Sequence, residues 1–500
     1  MTMVSIPARP STRSWAERAR SLPIDRRSLI MGLLVLLALR LALVVWLPFV
    51  DTTEARYAEI ARKMVETGDW ITPQFDYGVP FWGKPPLHTW ASALGMKLFG
   101  VTPFGARIFI LAAAVGVLGL VFAWARREAD ELTGLVAAAI CASSILFFGA
   151  SAFVMTDMVM VLGTTLSMAG FYLATETRPG DRLWGHLAFV GLAVGMLAKG
   201  PTAVVLTGIP VVLWVLTGWR WRSLRQLPWL TGTLLALVLT LPWYVAAELK
   251  TPGFLHYFLV GEHLNRFLVP GWTGDLYGSA HIEPKGMIWL YALGVFLPWT
   301  VLLAAMLLRP GRLRPLVRPP RRSLTLYLAL WTLSPMILFT AASNILPAYV
   351  LPAVPAFAIL LARAVTGELD RGAAWIRPAF WACMGLSLAL FTGLALVAGL
   401  APLSLGLRTT RELVAAIERA APEAQIAVYP GRLYSAEFYS QGRAKTVAET
   451  GALAALATND RRDAVIVSRD HLAPAQAALG PGFTEIARYR TQVALVEEAR

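Results

Sequence analysis

Charge is scarce in this chain. Lys, Arg, Asp and Glu make up 15% of its 500 residues, where a soluble globular domain carries about 25%. Cysteine is scarcer still. Cys141 and Cys383 are far apart and each lies inside an apolar run, so no disulfide framework is implied and both read as small buried hydrophobes. No glycine-rich turn follows a strand-like segment, which argues against a soluble nucleotide-binding fold. The net charge of +14 invites a nucleic-acid reading. Its placement argues against one, because the arginines sit in short segments between apolar stretches, which is how membrane orientation is encoded.

Apolar residues are abundant, at 56% of the chain, and they gather in runs long enough to cross a hydrocarbon core of roughly 30 Å. Runs fall at about 28–50, 104–125, 132–150, 154–174, 183–198, 201–218, 228–248, 287–308, 323–342, 346–366 and 376–400. The expected fold is a polytopic α-helical membrane protein with about eleven or more spans. Arg9, Arg13, Arg18, Arg20, Arg26 and Arg27 precede the first run. They resemble a signal peptide's basic region, but Leu29–Val50 is too long and has no small-residue cleavage site, so it reads as a retained anchor.

Residues 1–27 then form a basic cytoplasmic N-terminus. Loops predicted on the same side hold Arg126–Arg127, Arg178 and Arg182, Arg220/Arg222/Arg225, six arginines from Arg309 to Arg322, and Arg363/Arg371/Arg377. A membrane domain over 28–400 follows, with outer loops 51–103 and 249–286, and a tail over 401–500 on the extracytoplasmic side. In the tail, "RTTRELVAAIERAAP" and "HLAPAQAALG" read as helices, and "QIAVYPG", "DAVIVSR" and "TQVALVEE" as strands. That alternation suggests a small α/β domain, with an accessory or docking role.

The outer loops carry the chemistry. In "DTTEARYAEIARKM" (51–64), Tyr57, Ile60, Ala61 and Met64 draw one apolar stripe, the pattern of an amphipathic helix lying flat on a membrane surface. Asp51 and Glu54 are either its N-cap and N3 residues or functional carboxylates. Ionisable groups at span ends are functional candidates. Asp157, Lys199 and Glu248 all fall at predicted outer ends, which suggests one polar cavity there, with interfacial salt bridges as the alternative. Lys84 in "FWGKPPLHTW" follows a glycine and precedes two prolines, and reads as a phosphate-binding point charge or a headgroup contact. "GEHLNRF" brings together Glu262, His263 and Arg266. The three could hold a metal or an anion, and a surface Glu–Arg pair at i,i+4 explains two of them equally.

Taken in order, "TEARYAEIARKMVETGDWITPQF", "GKPPLHTW", "FVMTDMVM", "LAKGP", "EHLNRF", His281 and Pro284 of "HIEP", "LPW" and "LPAYVLP" resemble a known family. They are similar to the aminoarabinose-transferase and protein-O-mannosyltransferase-like membrane glycosyltransferases of the GT-C superfamily, over about residues 30–360. The resemblance implies an enzyme that takes a sugar from a polyprenyl-phosphate carrier at the outer face of the cytoplasmic membrane and passes it to an envelope lipid or glycan.

It also implies a first-loop acid as catalytic base, Asp157 as a second acidic position, and Lys84, Arg266 and Tyr349 at the carrier phosphate, with Arg56 and Lys199 beside them. A divalent metal held by Glu262 and His263 is a further expectation. The chain departs from the family pattern at three points. Thr53-Glu54 stands where the family usually shows Asp-Glu, leaving Asp51 and Glu54 as first-loop carboxylates. Gly83-Lys84-Pro85 stands for Glu-Lys-Pro, removing a carboxylate that helps bind a metal. Asn344-Ile345-Leu346-Pro347 stands for Gly-Lys-Leu-Pro. The rival reading is a transporter or flippase, which predicts inverted repeats and charges near mid-bilayer on broken helices; a third is a non-catalytic envelope scaffold.

Overall fold

The computed structural model describes residues 23–278, 281–309 and 322–498. Most of the basic N-terminal stretch, and the arginines between positions 310 and 321, lie outside the described residues. The first helix, α1 (Arg26–Trp46), starts where Asp25 accepts a hydrogen bond from the Ser28 amide, satisfying one of the amides a helix N-terminus leaves free. The first outer loop follows, with helix α2 (Thr53–Thr67), strands β1 (Gln74–Asp76) and β2 (Val79–Pro80), and helix α3 (Leu87–Phe99). Then come α4 (Pro103–Glu128), α5 (Glu131–Ser143), α6 (Ile145–Ala150), α7 (Thr156–Tyr172), α8 (Arg182–Lys199), α9 (Pro201–Gly218) and α10 (Trp229–Lys250). After the second outer loop lie α11 (Met287–Val295), α12 (Trp299–Leu307), α13 (Arg322–Phe339), α14 (Val354–Asp370) and α15 (Ile376–Leu400).

Among the described residues, seven helices are long and apolar enough to cross a membrane, and eight if the bent pair α11–α12 counts as one span. The protein is therefore a multi-pass membrane protein, but the eleven apolar runs do not make eleven straight spans. Residues 287–307 bend by 105°, and the run at 132–150 is divided between α5 and α6 at Ser144. No charged side chain lies at the α11–α12 break, Phe296-Leu297-Pro298. Two segments form the axis of the bundle: 89% of the apolar window in Thr156–Thr177 is buried and 83% in Pro347–Asp370, against 28–39% for the others.

Small residues bring α7 and α8 into backbone contact, as expected where helices pack without a hydrophobic driving force. A Cβ on Gly163 would sit 2.6 Å from the Gly195 amide nitrogen, and one on Gly170 would sit 2.7 Å from that of Ala188. Those pairings run antiparallel. The start of α7 is thereby fixed beside the end of α8. At the opposite end of the bundle, Glu176 accepts from the Ser223 and Ser323 hydroxyls, and Thr177 donates to Glu128. Connections predicted to share one membrane face therefore touch one another.

The tail holds α16 (Arg411–Ala420), β3 (Gln425–Tyr429), α17 (Tyr434–Tyr439), β4 (Ala444–Thr446), α18 (Thr450–Leu456), β5 (Asp463–Ser468), α19 (Leu472–Leu479), β6 (Phe483–Tyr489) and β7 (Gln492–Glu497). Its sheet has the order β4-β3-β5-β7-β6. Strand β3 is parallel to β4 and β5, and β7 is antiparallel to β5 and β6. The sequence reading found three of these five strands. It missed β4, which is three residues long, and β6, whose partly exposed residues show no apolar alternation.

Helix α2 corrects the expectation of a surface helix. Tyr57, Ile60, Ala61 and Met64 are buried as the stripe requires, but so are Glu59, Arg62 and Lys63 on the polar side. The tail covers that side. Lys63 reaches Glu437 at 3.2 Å and Glu59 at 3.3 Å, and Arg62 makes a two-pronged pair with Glu59 at 2.7 Å. Arg432 donates to the Phe75 carbonyl and lies 3.5 Å from Asp76. A polar helical face can be buried when each charge meets a partner. Here Glu59 and Arg62 meet within the helix, while the Glu437 partner of Lys63 comes from 374 residues further along the chain.

Candidate active site

One cavity of about 450 Å³ opens between the first outer loop, the second outer loop, the ends of α7 and α8, and the tail. It is lined by Thr53, Arg56, Lys84, Asp157, Lys199, Glu262, Arg266, Asp275 and Tyr349, among others. The α7–α8 packing delivers the first pair, with Lys199 Nζ 2.5 Å from Asp157 Oδ1. The ammonium also lies 4.5 Å from the centre of the Tyr349 ring, a cation–π contact. In "LAKGP", Gly200 has φ +78°, and a Cβ there would meet the Phe258 ring at 2.5 Å. Only glycine turns the chain at that point and admits the ring.

The Pro85-Pro86 turn carries Lys84 to the second loop, where its Nζ lies 2.6 Å from Glu262 Oε2. Arg266, one turn beyond Glu262, places Nη1 3.1 Å from both Glu262 oxygens and 3.2 Å from Asp275 Oδ2. Burial alone would raise the Glu262 carboxyl, but Lys84 and Arg266 hold it below the usual carboxylate value. Burial likewise opposes the Lys84 ammonium, and Glu262 more than offsets it, leaving Lys84 above the ordinary lysine value. Arg56 donates to the Tyr277 carbonyl at 2.5 Å.

Several predicted residues lie elsewhere. Glu54 does not line the cavity. Both its oxygens bind Arg107, Oε1 to Nε at 2.8 Å and Oε2 to Nη2 at 2.7 Å, and Arg107 also donates to the carbonyls of Val44, Leu47 and Pro48. This pair ties the end of α1 to the start of α2. Asp51 is buried away from the cavity, where its carboxylate accepts from the Ser435 amide at 3.0 Å and from the Ser435 hydroxyl. Burial pushes the Asp51 carboxyl above its ordinary value, and the Ser435 bonds counter only part of that. Neither residue caps α2, whose N-cap position is Thr52 without a side-chain bond. Glu248 is also outside; it accepts from the Gly253 and Leu255 amides and so closes the turn after α10.

Glu262 and His263 do not fit the expected metal pair. The Glu262 oxygens are held by Lys84 and Arg266. The His263 nitrogens face carbonyl oxygens, Nδ1 that of Phe258 at 2.7 Å and Nε2 that of Lys199 at 3.3 Å. Among the described residues no group of three or more His, Cys, Asp or Glu side chains gathers to hold an ion.

Sequence reading missed Asp275, which sits in an aperiodic loop, and Arg107, which reads as one more span-end arginine. It also missed Arg432 and Tyr434, which bring the tail to the cavity wall. The signal for this last pair was the run of four aromatic residues around one arginine in "VYPGRLYSAEFY".

Residues 27–258 match the family model described as dolichyl-phosphate-mannose-protein mannosyltransferase. The undecaprenyl phosphate-alpha-4-amino-4-deoxy-L-arabinose arabinosyl transferase of Edwardsiella ictaluri is 34% identical over 325 residues, covering 63% of this chain and 56% of that protein. The protein of the same name from Pseudomonas aeruginosa is 33% identical over 339 residues, covering 65% and 57%. The chain thus spans less than two thirds of the length of these relatives. ArnT from Cupriavidus metallidurans, solved bound to undecaprenyl phosphate, superposes with a TM-score of 0.79 over 95% of this chain and 98% of that one, at 19% identity. The fold is shared along almost the whole length, tail included. In fold the chain is similar to ArnT, and in sequence about two thirds of it is similar to the undecaprenyl phosphate-aminoarabinose arabinosyl transferases.

Proposed function

We propose that this protein transfers a sugar from a polyprenyl-phosphate carrier to a hydroxyl of an envelope lipid or glycan, with inversion, at the outer face of the cytoplasmic membrane. The observation that carries the reading is the single cavity in which Lys84, Arg266, Lys199 and Arg56 converge beside Asp157. Lys84 and Arg266 bind the donor phosphate, displacing Glu262 from part of its contact with them. Asp157 takes the proton from the acceptor hydroxyl as that oxygen bonds to the anomeric carbon. The bond from that carbon to the phosphate oxygen breaks, and the cations stabilise the charge that develops on the leaving phosphate. Lys199, 2.5 Å from Asp157, orients the carboxylate.

The names of the similar proteins support a lipid-phosphate donor. The arginine-bearing connections at the far end of the bundle support a cytoplasmic N-terminus, with the cavity and tail outside. A transporter would place its charges at mid-span on broken helices, whereas the bent α11–α12 pair has none at its break. The test is mass spectrometry of envelope glycolipids from cells with the protein, without it, and with Asp157→Asn. One glycolipid should disappear in both altered strains. Its persistence with Asp157→Asn at normal abundance would remove Asp157 as the base.

A further inference from the structure

The charge balance of the cavity bears on which sugar it accepts. Four cations on the wall, Arg56, Lys84, Lys199 and Arg266, face three carboxylates, Asp157, Glu262 and Asp275. Arg432 also reaches the wall, but Glu437 at 2.5 Å and Asp76 at 3.5 Å balance it from outside. Every cavity carboxylate is already engaged: Asp157 by Lys199, Glu262 by Lys84 and Arg266, Asp275 by Arg266. Arg56 is the charge left over. Among the described residues no carboxylate lies within ion-pair distance of it; it has the Tyr277 carbonyl, the Tyr434 side chain and the Tyr57 ring, whose centre is 5.3 Å away, and its Nε is buried with no hydrogen-bond partner. Thr53, three residues earlier on the same helical face, is uncharged. So is Gly83, whose Cβ would meet the Phe81 ring at 3.0 Å and the Tyr277 ring at 3.3 Å.

One unmatched positive charge is the charge a phosphodiester neutralises. The balance then holds through the reaction, since the proton that neutralises Asp157 compensates the second negative charge appearing on the leaving phosphate. A sugar bearing an ammonium group breaks this balance at every stage. It adds a positive charge to a site whose four cations already balance its three carboxylates plus the donor phosphate, Glu262 included when the phosphate takes over part of its contacts, and a net buried charge is costly. We infer that the donor of this protein carries a sugar without an amino group, a neutral hydroxylated ring, and that uncharged Thr53, one helical turn from Arg56, and uncharged Gly83 on the same cavity wall set that preference. The inference rests on the transfer reading above and names the substrate class for the same site. The similar proteins include both kinds by name, a mannosyltransferase family and aminoarabinose transferases.

The experiment uses the full-length purified protein in lipid nanodiscs with two donors, undecaprenyl phosphate linked to a neutral hexose and to its amino-deoxy counterpart. Donor binding and donor consumption are both measured. The wild-type protein should favour the neutral donor by at least about tenfold, as expected for one unmatched charge in a low-dielectric site. Thr53→Asp, on a partly exposed position, should move that ratio toward the amino donor by a similar factor. A wild-type preference for the amino donor, or an unchanged ratio in Thr53→Asp, would overturn the inference and leave the transfer reading intact. If neither donor binds nor is consumed, the transfer reading fails and the inference falls with it.

Discussion

Glu54→Gln separates a structural carboxylate from a catalytic one. The side chains of Glu54 and Arg107 are 2% and 4% exposed, so the substitution leaves a guanidinium buried without a counter-charge. Breaking a buried pair in this way costs roughly 3–5 kcal/mol. Arg107 keeps its bonds to the Val44, Leu47 and Pro48 carbonyls, which places the expected loss near the lower end, about 3 kcal/mol. The bond from the Val154 amide to Glu54 Oε1, 3.3 Å long, survives because Gln offers an oxygen there. Thermal unfolding in detergent should show a clear drop in midpoint, while the fraction that remains folded turns over donor at a near-normal rate. A variant with unchanged unfolding and a rate reduced by roughly 10²–10⁴-fold, the signature of a lost general base, would refute this reasoning.

Lys84→Ala and Arg266→Ala should each weaken donor binding by about 2–4 kcal/mol, the worth of one charge-stabilising group in a water-poor site; titration with undecaprenyl phosphate measures it, and unchanged binding in both removes them from the phosphate. Because Glu262 is held below its ordinary value of 4.5, its clamp contributes stability that is fully present above that pH and is lost as pH falls through the lower folded value. Unfolding midpoints measured downward from pH 6 should show this acid-side loss in the wild type and lack it in Glu262→Gln. Ser435→Ala should loosen the tail by about 1–3 kcal/mol, since it leaves part of the buried Asp51 carboxylate without a donor; limited proteolysis around residues 401–410 should then accelerate.

The membrane-spanning runs were legible because roughly twenty apolar residues in a row have few other uses. Their continuity was not: a run of the right length does not reveal that Ser144 or Phe296-Leu297-Pro298 interrupts it. The motif residues Arg56, Lys84, Asp157, Lys199, Arg266 and Tyr349 were readable as chemistry, and they line one cavity. The fates of Asp51 and Glu54 were not readable. Helical periodicity identifies an apolar stripe and leaves the opposite face to be assigned to water by default. On α2 that face is closed by its own Glu59–Arg62 pair and by Glu437 of the tail, and the contacts of Asp51 depend on Ser435. Such pairings with the tail are long-range charge complementarity between segments that show no common pattern along the chain. Asp275 was invisible for a similar reason, since its loop has no periodicity and its partner Arg266 lies nine residues earlier.

The joint between tail and first loop has an evolutionary and engineering consequence. Its contacts are shared by two distant stretches, with Asp51, Lys63 and Asp76 on one side and Arg432, Ser435 and Glu437 on the other. Neither stretch is free to drift alone. Exchanging the last hundred residues with those of a relative therefore yields a working hybrid only when the matching first-loop residues travel with them. Because Arg432 and Tyr434 also stand at the cavity wall, such a hybrid takes part of its cavity lining from the protein that supplies the tail.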